Sequence, residues 1–378
     1  MKVTIRAISD SRSLSEIEDE WNCMINKHSE SPNLLSGFVK QFIDSDSPKG
    51  WFPILLLITV NDRIVGASPF KIKTKFGIRI AKFLPKLRFS QDLVAEDQYR
   101  DLCMAHTIDF LFKTLRCQIV DFTLPLESPN LKILKEKCQA CGIKLDTRPQ
   151  MGHSLLLVEH TWDEFEAFRG GNFRRKFKKI ERNLTRFGSW RITSCEKGND
   201  ESEVIKRILD VESKSWKEEW RTQSGEESDQ DLQVIWNGAL RTAQTASDFN
   251  WRIWFLEVND TAIAYALVFQ YKETAFIVKT SYDERYKRFY PGIFVINAAI
   301  RGLLNGGQVK KIDFLTNLPF METWTSLSLP RVGVTMSRKS ILSIMIRFVL
   351  SNGNARNIIR FASHYLPKSL QSTSDFLA

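Results

Sequence analysis

The tetrapeptide Lys311-Ile312-Asp313-Phe314 repeats a motif that occurs earlier in the chain as Ile119-Val120-Asp121-Phe122. Each copy comes directly after a stretch with a helical pattern, and its own residues have the apolar character of a strand. A second matched pair, Val60-Asn61-Asp62 and Val258-Asn259-Asp260, lies between strand-like runs and comes in the same order. Because the two pairs keep nearly the same separation, they indicate an internal duplication. The duplication decides the fold, since each half must then form the same arrangement of elements.

Hydrophobic periodicity around these motifs predicts strands and helices in a similar order in each half. We therefore expect tandem domains, each a mixed, largely antiparallel sheet flanked by helices, which is an α/β or α+β fold. The expected divisions are residues 1–150, residues 151–337 and a helical extension at 338–378, with the boundary near Thr147–Glu164. The predicted strands are Val3–Ile8, Ile54–Val60, Ile64–Lys73, Ile119–Thr123, Ser154–Val158, Trp190–Ser194, Trp251–Val258, Ala262–Tyr271, Thr274–Tyr282 and Lys311–Leu315.

Composition narrows the class of protein. The 378 residues are 43% hydrophobic and 11% aromatic, which is enough for a sizeable core, and the net charge of +10 favours an anionic partner. The N-terminal segment has no apolar signal region, and the longest apolar run, Pro53–Val60, is too short to cross a bilayer. The pair Cys138 and Cys141 closes a helix and has no second pair, so we expect neither a metal site nor a redox motif. These features predict a cytoplasmic protein.

A basic amphipathic helix is predicted at residues 173–187. Phe173, Phe177, Ile180 and Leu184 recur at helical spacing, so they form one apolar face. Lys and Arg occupy the other face, among them Arg174, Arg175 and Lys178. That face either binds an anion or is simply solvated, and the pattern alone leaves both open.

The segment Ser281–Gly292 of the second copy differs from the corresponding loop of the first copy. Pro291-Gly292 predicts a helix start with free N–H groups, and Arg285, Lys287 and Arg288 precede it. Such a start is an anion site suited to a pyrophosphate, although an ordinary helix start with a solvated basic loop fits equally well. The corresponding first-half loop, Asp92–Asp101, is acidic and has neither glycine nor proline. We therefore expect one working site, in the second half.

These motifs together resemble the GNAT-type acyltransferases, and specifically the double-domain CelD/BcsL-like acetyltransferases of polysaccharide clusters, which are distant relatives of the Fem aminoacyltransferases. The resemblance covers roughly residues 155–325, and the first half shares only the layout. This sequence departs from the family at Tyr290, where serine is usual, and at 315–323, where a glycine-rich segment with a lysine is usual. The resemblance is carried by Asn172-Phe173-Arg174-Arg175-Lys176, Lys279, Tyr282-Asp283, Pro291-Gly292, Asp313-Phe314 and Trp324.

The resemblance implies tandem GNAT-like domains and transfer of an acyl group from acetyl-CoA or another acyl-CoA to an amine, with no metal. The pantetheine arm would lie in a gap between the strands Thr274–Tyr282 and Lys311–Leu315. Implied cofactor-binding residues are Lys279, Arg285, Arg288, Pro291, Gly292 and Ile293. The expected base is Asp313, with Asp283 and Glu257 behind it, and Tyr286 or Tyr290 would supply a proton. Asp313 could equally be a structural carboxylate, as its counterpart Asp121 could be.

The same resemblance implies that Arg174, Arg175 and Lys178 meet a phosphate-bearing acceptor, such as an amino sugar or another cell-envelope or polysaccharide precursor. Alternatives are an aminoacyl-tRNA donor, as Fem proteins use, and a non-catalytic scaffold. A nucleic-acid-binding protein using helix 173–187 is disfavoured, because no helix-turn-helix, zinc-finger or RNP pattern accompanies it. Contact with the inner face of a membrane through residues 340–366 is a further alternative to simple packing of that segment.

Overall fold

The computed structural model describes residues 2–46, 50–75, 77–84, 89, 91–215 and 228–338. The predicted helical extension and the candidate membrane segment 340–366 lie outside these residues. First-half elements are β1 Val3–Ile8, α1 Ser11–Ser15, α2 Glu18–His28, α3 Ser36–Asp46, β2 Phe52–Val60, β3 Arg63–Lys75, β4 Ile78–Phe83, β5 Val94–Ala95, α4 Arg100–Asp109, β6 Ile119–Pro125, α5 Pro129–Ala140 and β7 Lys144–Leu157.

The second half continues with a long helix and repeats the first-half order. Its elements are α6 Trp162–Phe187, β8 Trp190–Glu196, α7 Glu201–Ser213, α8 Ser228–Thr245, β9 Phe249–Val258, β10 Thr261–Tyr271, β11 Thr274–Tyr282, α9 Pro291–Gly306, β12 Lys311–Asp313 and β13 Ser328–Ser337. A short 3-10 helix, Glu284–Phe289, precedes α9, and another, Pro319–Thr323, follows β12.

The duplication predicted from the sequence is present in the sheet. The strands form one sheet in the order β1-β2-β3-β4-β6-β13-β7-β12-β11-β10-β9-β8, with β5 paired to β3. Each half contains one parallel pair, β4 with β6 and β11 with β12, among antiparallel neighbours. The fold is therefore the expected mixed, largely antiparallel sheet flanked by helices.

Both predicted hairpin turns have the same backbone geometry. Asn61 and Asp62 have φ of 51° and 64°, and Asn259 and Asp260 have φ of 48° and 59°. Left-handed conformations at both central residues define the tight two-residue turn that matches the twist of the flanking strands. Asn and Asp tolerate this conformation better than other residues with a side chain, which explains their repetition here.

The two halves of the sheet exchange strands, which no periodicity in the sequence indicated. β13 comes from the end of the described chain, yet it pairs antiparallel with both β6 and β7. β7 in turn pairs with β13 through its first part and with β12 through Leu155–Leu157. The division at residue 150 thus falls inside a continuous strand, and residues 328–337 lie in the sheet of the first half.

Helices α3 and α8 join the halves on one face of the sheet. A Cβ atom at Gly238 would lie 2.6 Å from Cδ1 of Phe38, and one at Gly37 would overlap the backbone of Thr242. The two helices therefore approach more closely than any other residue at these glycines would allow. Phe38 also packs edge-to-face on Phe249, with ring centroids 5.5 Å apart.

The basic helix α6 has the predicted apolar face: Phe173, Phe177, Ile180 and Leu184 are all buried in one core cluster. It begins earlier than predicted, at a capping box formed by Thr161 and Glu164, and it kinks at Gly170, where φ is 80°. Gly188 ends the helix in an extended conformation. Glycine is required there because a Cβ would overlap the side chain of Asn259.

Candidate functional site

β11 and β12 diverge to open a gap in the sheet. They pair only from Thr274 with Lys311 to Phe276 with Asp313, after which β11 leaves β12 and continues along β10 to Tyr282. The chain after β12 instead follows β7, since the N–H of Phe314 donates to the carbonyl of Ser154. The predicted gap between these two strands is therefore present, and it opens at Asp313.

The start of α9 lies on one side of this gap. We call this side the back face; α6 and α9 pack on it, whereas α7 and α8 pack on the front face. Pro291 occupies the first turn, and no side chain caps the helix. Tyr290 precedes it with φ of 53° and is 61% exposed. The N–H groups of Gly292 and Ile293 therefore lack a side-chain acceptor, and the positive end of a long helix is available to an anion.

The three basic residues before α9 are not equivalent. Arg285 makes a two-pronged ion pair with Asp283, with Nη2 2.5 Å from Oδ2, and Lys287 pairs with Glu284 at 2.7 Å. Arg288 instead stacks on two phenylalanine rings, 4.7 Å from the centroid of Phe289. Arg288 has no carboxylate within ion-pair distance in the described part of the chain. It is therefore better placed than Arg285 to meet a phosphate.

Two of the three expected bases are already engaged. Burial alone would raise the pKa of Asp283, but the hydrogen bonds from Arg285 hold that pKa below its ordinary value. Glu257 accepts from Thr193 at 2.8 Å and from Arg191 at 2.6 Å, and it also pairs with Arg207. These contacts outweigh burial and lower the pKa of Glu257. A carboxylate so stabilised in its charged form is a poor proton acceptor.

Glu257 is also distant from the gap. It lies on β9, two strands from β11, which corresponds to about 10 Å across the sheet. Its partner Arg207 comes from α7, so Glu257 faces the front. The contacts of Glu257 therefore indicate a structural ion-pair network and not the predicted catalytic role.

Asp313 lies at the mouth of the gap, as predicted, but both its oxygens have partners. The N–H of Leu315 donates to Oδ1 at 2.7 Å, and Nδ1 of His153 lies 3.1 Å from Oδ2. Nη1 of Arg331 lies 3.0 Å from the other ring nitrogen of His153. Because guanidinium can only donate, this nitrogen accepts, and the ring proton then lies on Nδ1 toward Asp313.

The first-half counterpart shows the same arrangement. Asp121 accepts from Oγ1 of Thr335 at 2.6 Å and pairs with Arg148 at 2.9 Å. Asp121 thus holds side chains of β13 and β7, and Asp313 does the same through His153 and Arg331. This parallel favours the structural alternative for Asp313, a carboxylate that ties together the exchanged strands.

Lys279 does not lie near the start of α9. Leu267 pairs with Lys279 and Val268 with Ile277, so Val278 is an extra residue that forms a bulge in β11. The bulge turns Lys279 to the front face, where its Nζ lies 3.4 Å from Oε2 of the buried Glu212. The predicted contact with a cofactor phosphate would need the back face, so this position does not fit that role.

The predicted proton donors both lie at the phosphate end of the site. Tyr286 packs edge-to-face on Phe187 with ring centroids 5.6 Å apart, and Tyr290 is the residue immediately before α9. Their predicted role in protonating a leaving thiolate stays a prediction.

The basic helix runs antiparallel to α9 on the back face. Phe187 at its end packs on Phe289 near the start of α9, whereas Trp162 at its beginning lies under Arg301, near the end of α9. Arg174 is therefore about 20 Å along the helix from Phe187. Arg174, Arg175 and Lys178 are all exposed, and Arg175 bonds back to Asn172 at 2.8 Å. Their contact with an acceptor stays a prediction.

The equivalent region of the first half is filled by its own side chains. Asp97 pairs with Arg100 at the start of α4, and Glu96 pairs with Arg63 at 2.6 Å. Asp92 is buried and accepts from Ser128 and Asn130, each at 2.6 Å. Carboxylates in this position would repel a phosphate, in agreement with a single site in the second half.

A polar cluster on the front face of the gap was missed from the sequence. Glu212 and Tyr265 are fully buried, and they meet Lys279 beside the β11 bulge. Ser281 is buried next to them. The only sequence signal was the polar Lys279-Thr280-Ser281 run inside an otherwise apolar strand.

Other kinds of site are not indicated in the described residues. They contain no group of His, Cys, Asp or Glu arranged to hold a metal ion. Burial raises the pKa of Cys138 to about 12, so this thiol of the Cys138/Cys141 pair is not activated. Within the same residues, no helix is long and apolar enough to pass through a bilayer.

Sequence comparison agrees with the geometry of the second half. Residues 171–320 match the family model described as "Acetyltransferase (GNAT) domain". No curated protein sequence gives a significant match. The narrower CelD/BcsL-like assignment is not confirmed.

Solved structures extend the agreement to both halves. FemX superposes with a TM-score of 0.57 at 11% identity over 88% of this chain and 97% of that chain. The C-terminal domain of a putative lysylphosphatidylglycerol synthetase from Agrobacterium fabrum has a TM-score of 0.54 at 10% identity over 90% and 97%. A tandem GNAT protein from the clavulanic acid biosynthesis pathway has 0.50 at 11% over 90% and 100%. The likeness shows a tandem GNAT fold.

Proposed function

We propose that the protein is an acyl-CoA-dependent N-acyltransferase whose single site lies in the second half. The observation that carries this proposal is the uncapped start of α9 beside the gap between β11 and β12. GNAT domains generally use acyl-CoA, and a helix start suits its pyrophosphate. The gap gives the pantetheine arm a path through the sheet from the back face to the front face.

The chemistry needs positioning more than covalent catalysis. The N–H groups of Gly292 and Ile293 bind the pyrophosphate, and Arg288 adds positive charge beside them. With the phosphates held on the back face, the thioester reaches the bulge at Val278. An amine that enters from the front face then meets the carbonyl carbon directly, so a ternary complex suffices.

We propose an acceptor amine on an anionic molecule, such as an amino sugar or another cell-envelope or polysaccharide precursor. The net charge of +10 supports an anionic acceptor, whereas the exposed basic face of α6 belongs to the back of the sheet, away from the proposed entry of the amine. The same charge also suits an aminoacyl-tRNA as donor, which is the alternative within the fold. The two donors differ in size and charge, so binding distinguishes them.

Calorimetric titration of the purified chain with acetyl-CoA, coenzyme A and tRNA tests the proposal. We expect binding of both coenzyme A ligands and weak, salt-sensitive binding of tRNA. Arg288→Ala should weaken coenzyme A binding, whereas Arg174→Ala with Arg175→Ala should leave it unchanged because these residues lie far from the start of α9, where the phosphates would bind. Tight binding of tRNA without binding of coenzyme A would refute the acyl-CoA proposal and favour the alternative.

A further inference from the structure

Glu212, near the end of α7, is a fully buried carboxylate on the front face of the gap. The hydroxyl of Tyr265 donates to Oε1 at 2.5 Å, and Nζ of Lys279 lies 3.4 Å from Oε2. The N–H of Glu284 donates to the carbonyl of Lys214 at 3.0 Å, which fixes the end of α7 beside the end of β11. Two strands and a helix thus converge on one carboxylate.

Burying this ion pair carries a large desolvation cost, which replacement by apolar residues would avoid. Leu267 and Phe255 line the same face, and the guanidinium of Arg207 lies 4.0 Å from the centroid of the Phe255 ring. Ser281 is also 2% exposed, and its hydroxyl has no hydrogen-bond partner among the described residues. An unsatisfied hydroxyl beside a buried ion pair indicates a place prepared for a polar group.

The position of Glu212 and Ser281 relative to the gap indicates a role in the reaction. The bulge at Val278 and Lys279 lies just beyond Phe276, which is the last residue of β11 to pair with β12. Bulges often occur next to active sites, where they redirect a side chain. The back face at this level leads to the start of α9, because a Cβ at Gly292 would lie 3.1 Å from the ring of Tyr282. The cluster therefore faces the thioester from the side opposite the phosphates.

We propose that Glu212 is the catalytic base that accepts the proton of a primary-amine acceptor entering from the front face. Lys279 and Tyr265 are positioning residues that fix the orientation of its carboxylate, and Ser281 offers a hydrogen bond to the amine. This inference rests on the proposed function. It assigns the base to a residue that neither the repeat nor the motifs pointed to.

The proton balance is simple. The acceptor arrives as R–NH3+ and gives one proton to Glu212. The nitrogen lone pair then forms the N–C bond to the carbonyl carbon, and the C–S bond breaks with its electron pair on sulfur. The second nitrogen proton passes to the thiolate, which yields an amide and a free thiol, and Glu212 returns its proton to solvent. No further reactant is required.

The other carboxylates near the gap are held more closely than Glu212, whose cationic partner Lys279 lies 3.4 Å away. Asp283 accepts a two-pronged ion pair from Arg285. Asp313 accepts from His153 and from the N–H of Leu315, in the same pattern as Asp121 in the half without a site.

The test follows thiol release from acetyl-CoA, with D-glucosamine 6-phosphate as the amine probe and water as the second nucleophile. Glu212→Gln should lower kcat about 100-fold or more while the Kd for acetyl-CoA changes less than twofold. Glu212→Ala should regain at least tenfold activity when formate is added. Glu203→Gln, an exposed change on the same helix, is the matched control and should leave both constants unchanged.

A smaller change keeps the test decisive if Glu212→Gln does not fold. Tyr265→Phe removes only one hydrogen bond to the carboxylate, and it should lower kcat three- to tenfold without altering the KM for acetyl-CoA. Thermal unfolding verifies that each variant is folded. A folded Tyr265→Phe protein with unchanged kcat would overturn the positioning role.

Each remaining outcome separates the two proposals. Turnover by Glu212→Gln within twofold of wild type, or formate rescue of Asp313→Ala in place of Glu212→Ala, would overturn the assignment of the base. Wild-type protein that binds acetyl-CoA but releases thiol with neither nucleophile would overturn it as well. Wild-type protein that fails to bind acetyl-CoA would instead refute the proposed function.

Discussion

Replacement of Gly292 by glutamate tests the anion site most directly. Gly292 lies in the first turn of α9, and its N–H is one of the two groups without a side-chain acceptor. A glutamate side chain would bring negative charge to the seat of the pyrophosphate. We expect Gly292→Glu to abolish measurable binding of coenzyme A in calorimetric titration while the protein remains folded.

The magnitude follows from the hydrogen bonds lost. Each charge-assisted bond from the N–H of Gly292 or Ile293 contributes about 1.5–3 kcal/mol. Loss of both amounts to about 3–6 kcal/mol, which corresponds to a roughly 10²- to 10⁴-fold weaker Kd. Repulsion between the carboxylate and the phosphates adds to this loss.

Two control variants separate charge from shape. A Cβ at Gly292 would lie 3.1 Å from Cδ1 of Tyr282, so Gly292→Ala measures this tight contact alone, and we expect less than a tenfold change in Kd. Gly306→Glu places the same charge at the other end of α9, where a Cβ meets nothing within 4 Å. Binding by Gly292→Glu within threefold of wild type, or an equal loss in Gly306→Glu, would refute the reasoning.

Three further predictions concern stability. Phe177→Ala should lower the free energy of unfolding by about 3–5 kcal/mol, because the buried ring leaves a cavity; a urea titration showing a loss below about 1 kcal/mol would contradict its packing. Gly37→Val should cost about 1–3 kcal/mol by forcing α3 from α8, and an unchanged melting temperature would exclude their close approach. The lowered pKa of Glu257 means that its stabilisation is present above about pH 4.3 and is lost as the pH falls through the folded pKa. Between pH 5 and pH 3, the melting temperature of Glu257→Gln should therefore fall less than that of the wild type. Equal decreases would show that this carboxylate is not stabilised by folding.

Local sequence determined the features that depend on neighbours along the chain. The apolar stripe of α6 follows from helical spacing, and burial of Phe173, Phe177, Ile180 and Leu184 confirms it. Asn-Asp at both hairpins specifies a tight left-handed turn regardless of what the strands later contact. The duplicated order of elements followed from these signals, because each is set within a few residues.

Contacts between distant segments decided the rest. β13 joins the first-half sheet through pairings with β6 and β7, and no local pattern records which strand edge a segment will meet. One extra residue at Val278 turned Lys279 from the back face to the front face, and the strand period alone cannot show such a bulge.

The roles of the charged residues depended on tertiary structure most of all. Arg285 precedes Pro291 in the same short segment, yet its guanidinium pairs with Asp283. Glu212 looks like any acidic residue of an amphipathic helix until α7 packs on β11, and only then do Tyr265 and Lys279 meet it. A charge acquires its partner and its degree of solvation from the packed structure, and those two quantities decide whether it binds, catalyses or stabilises.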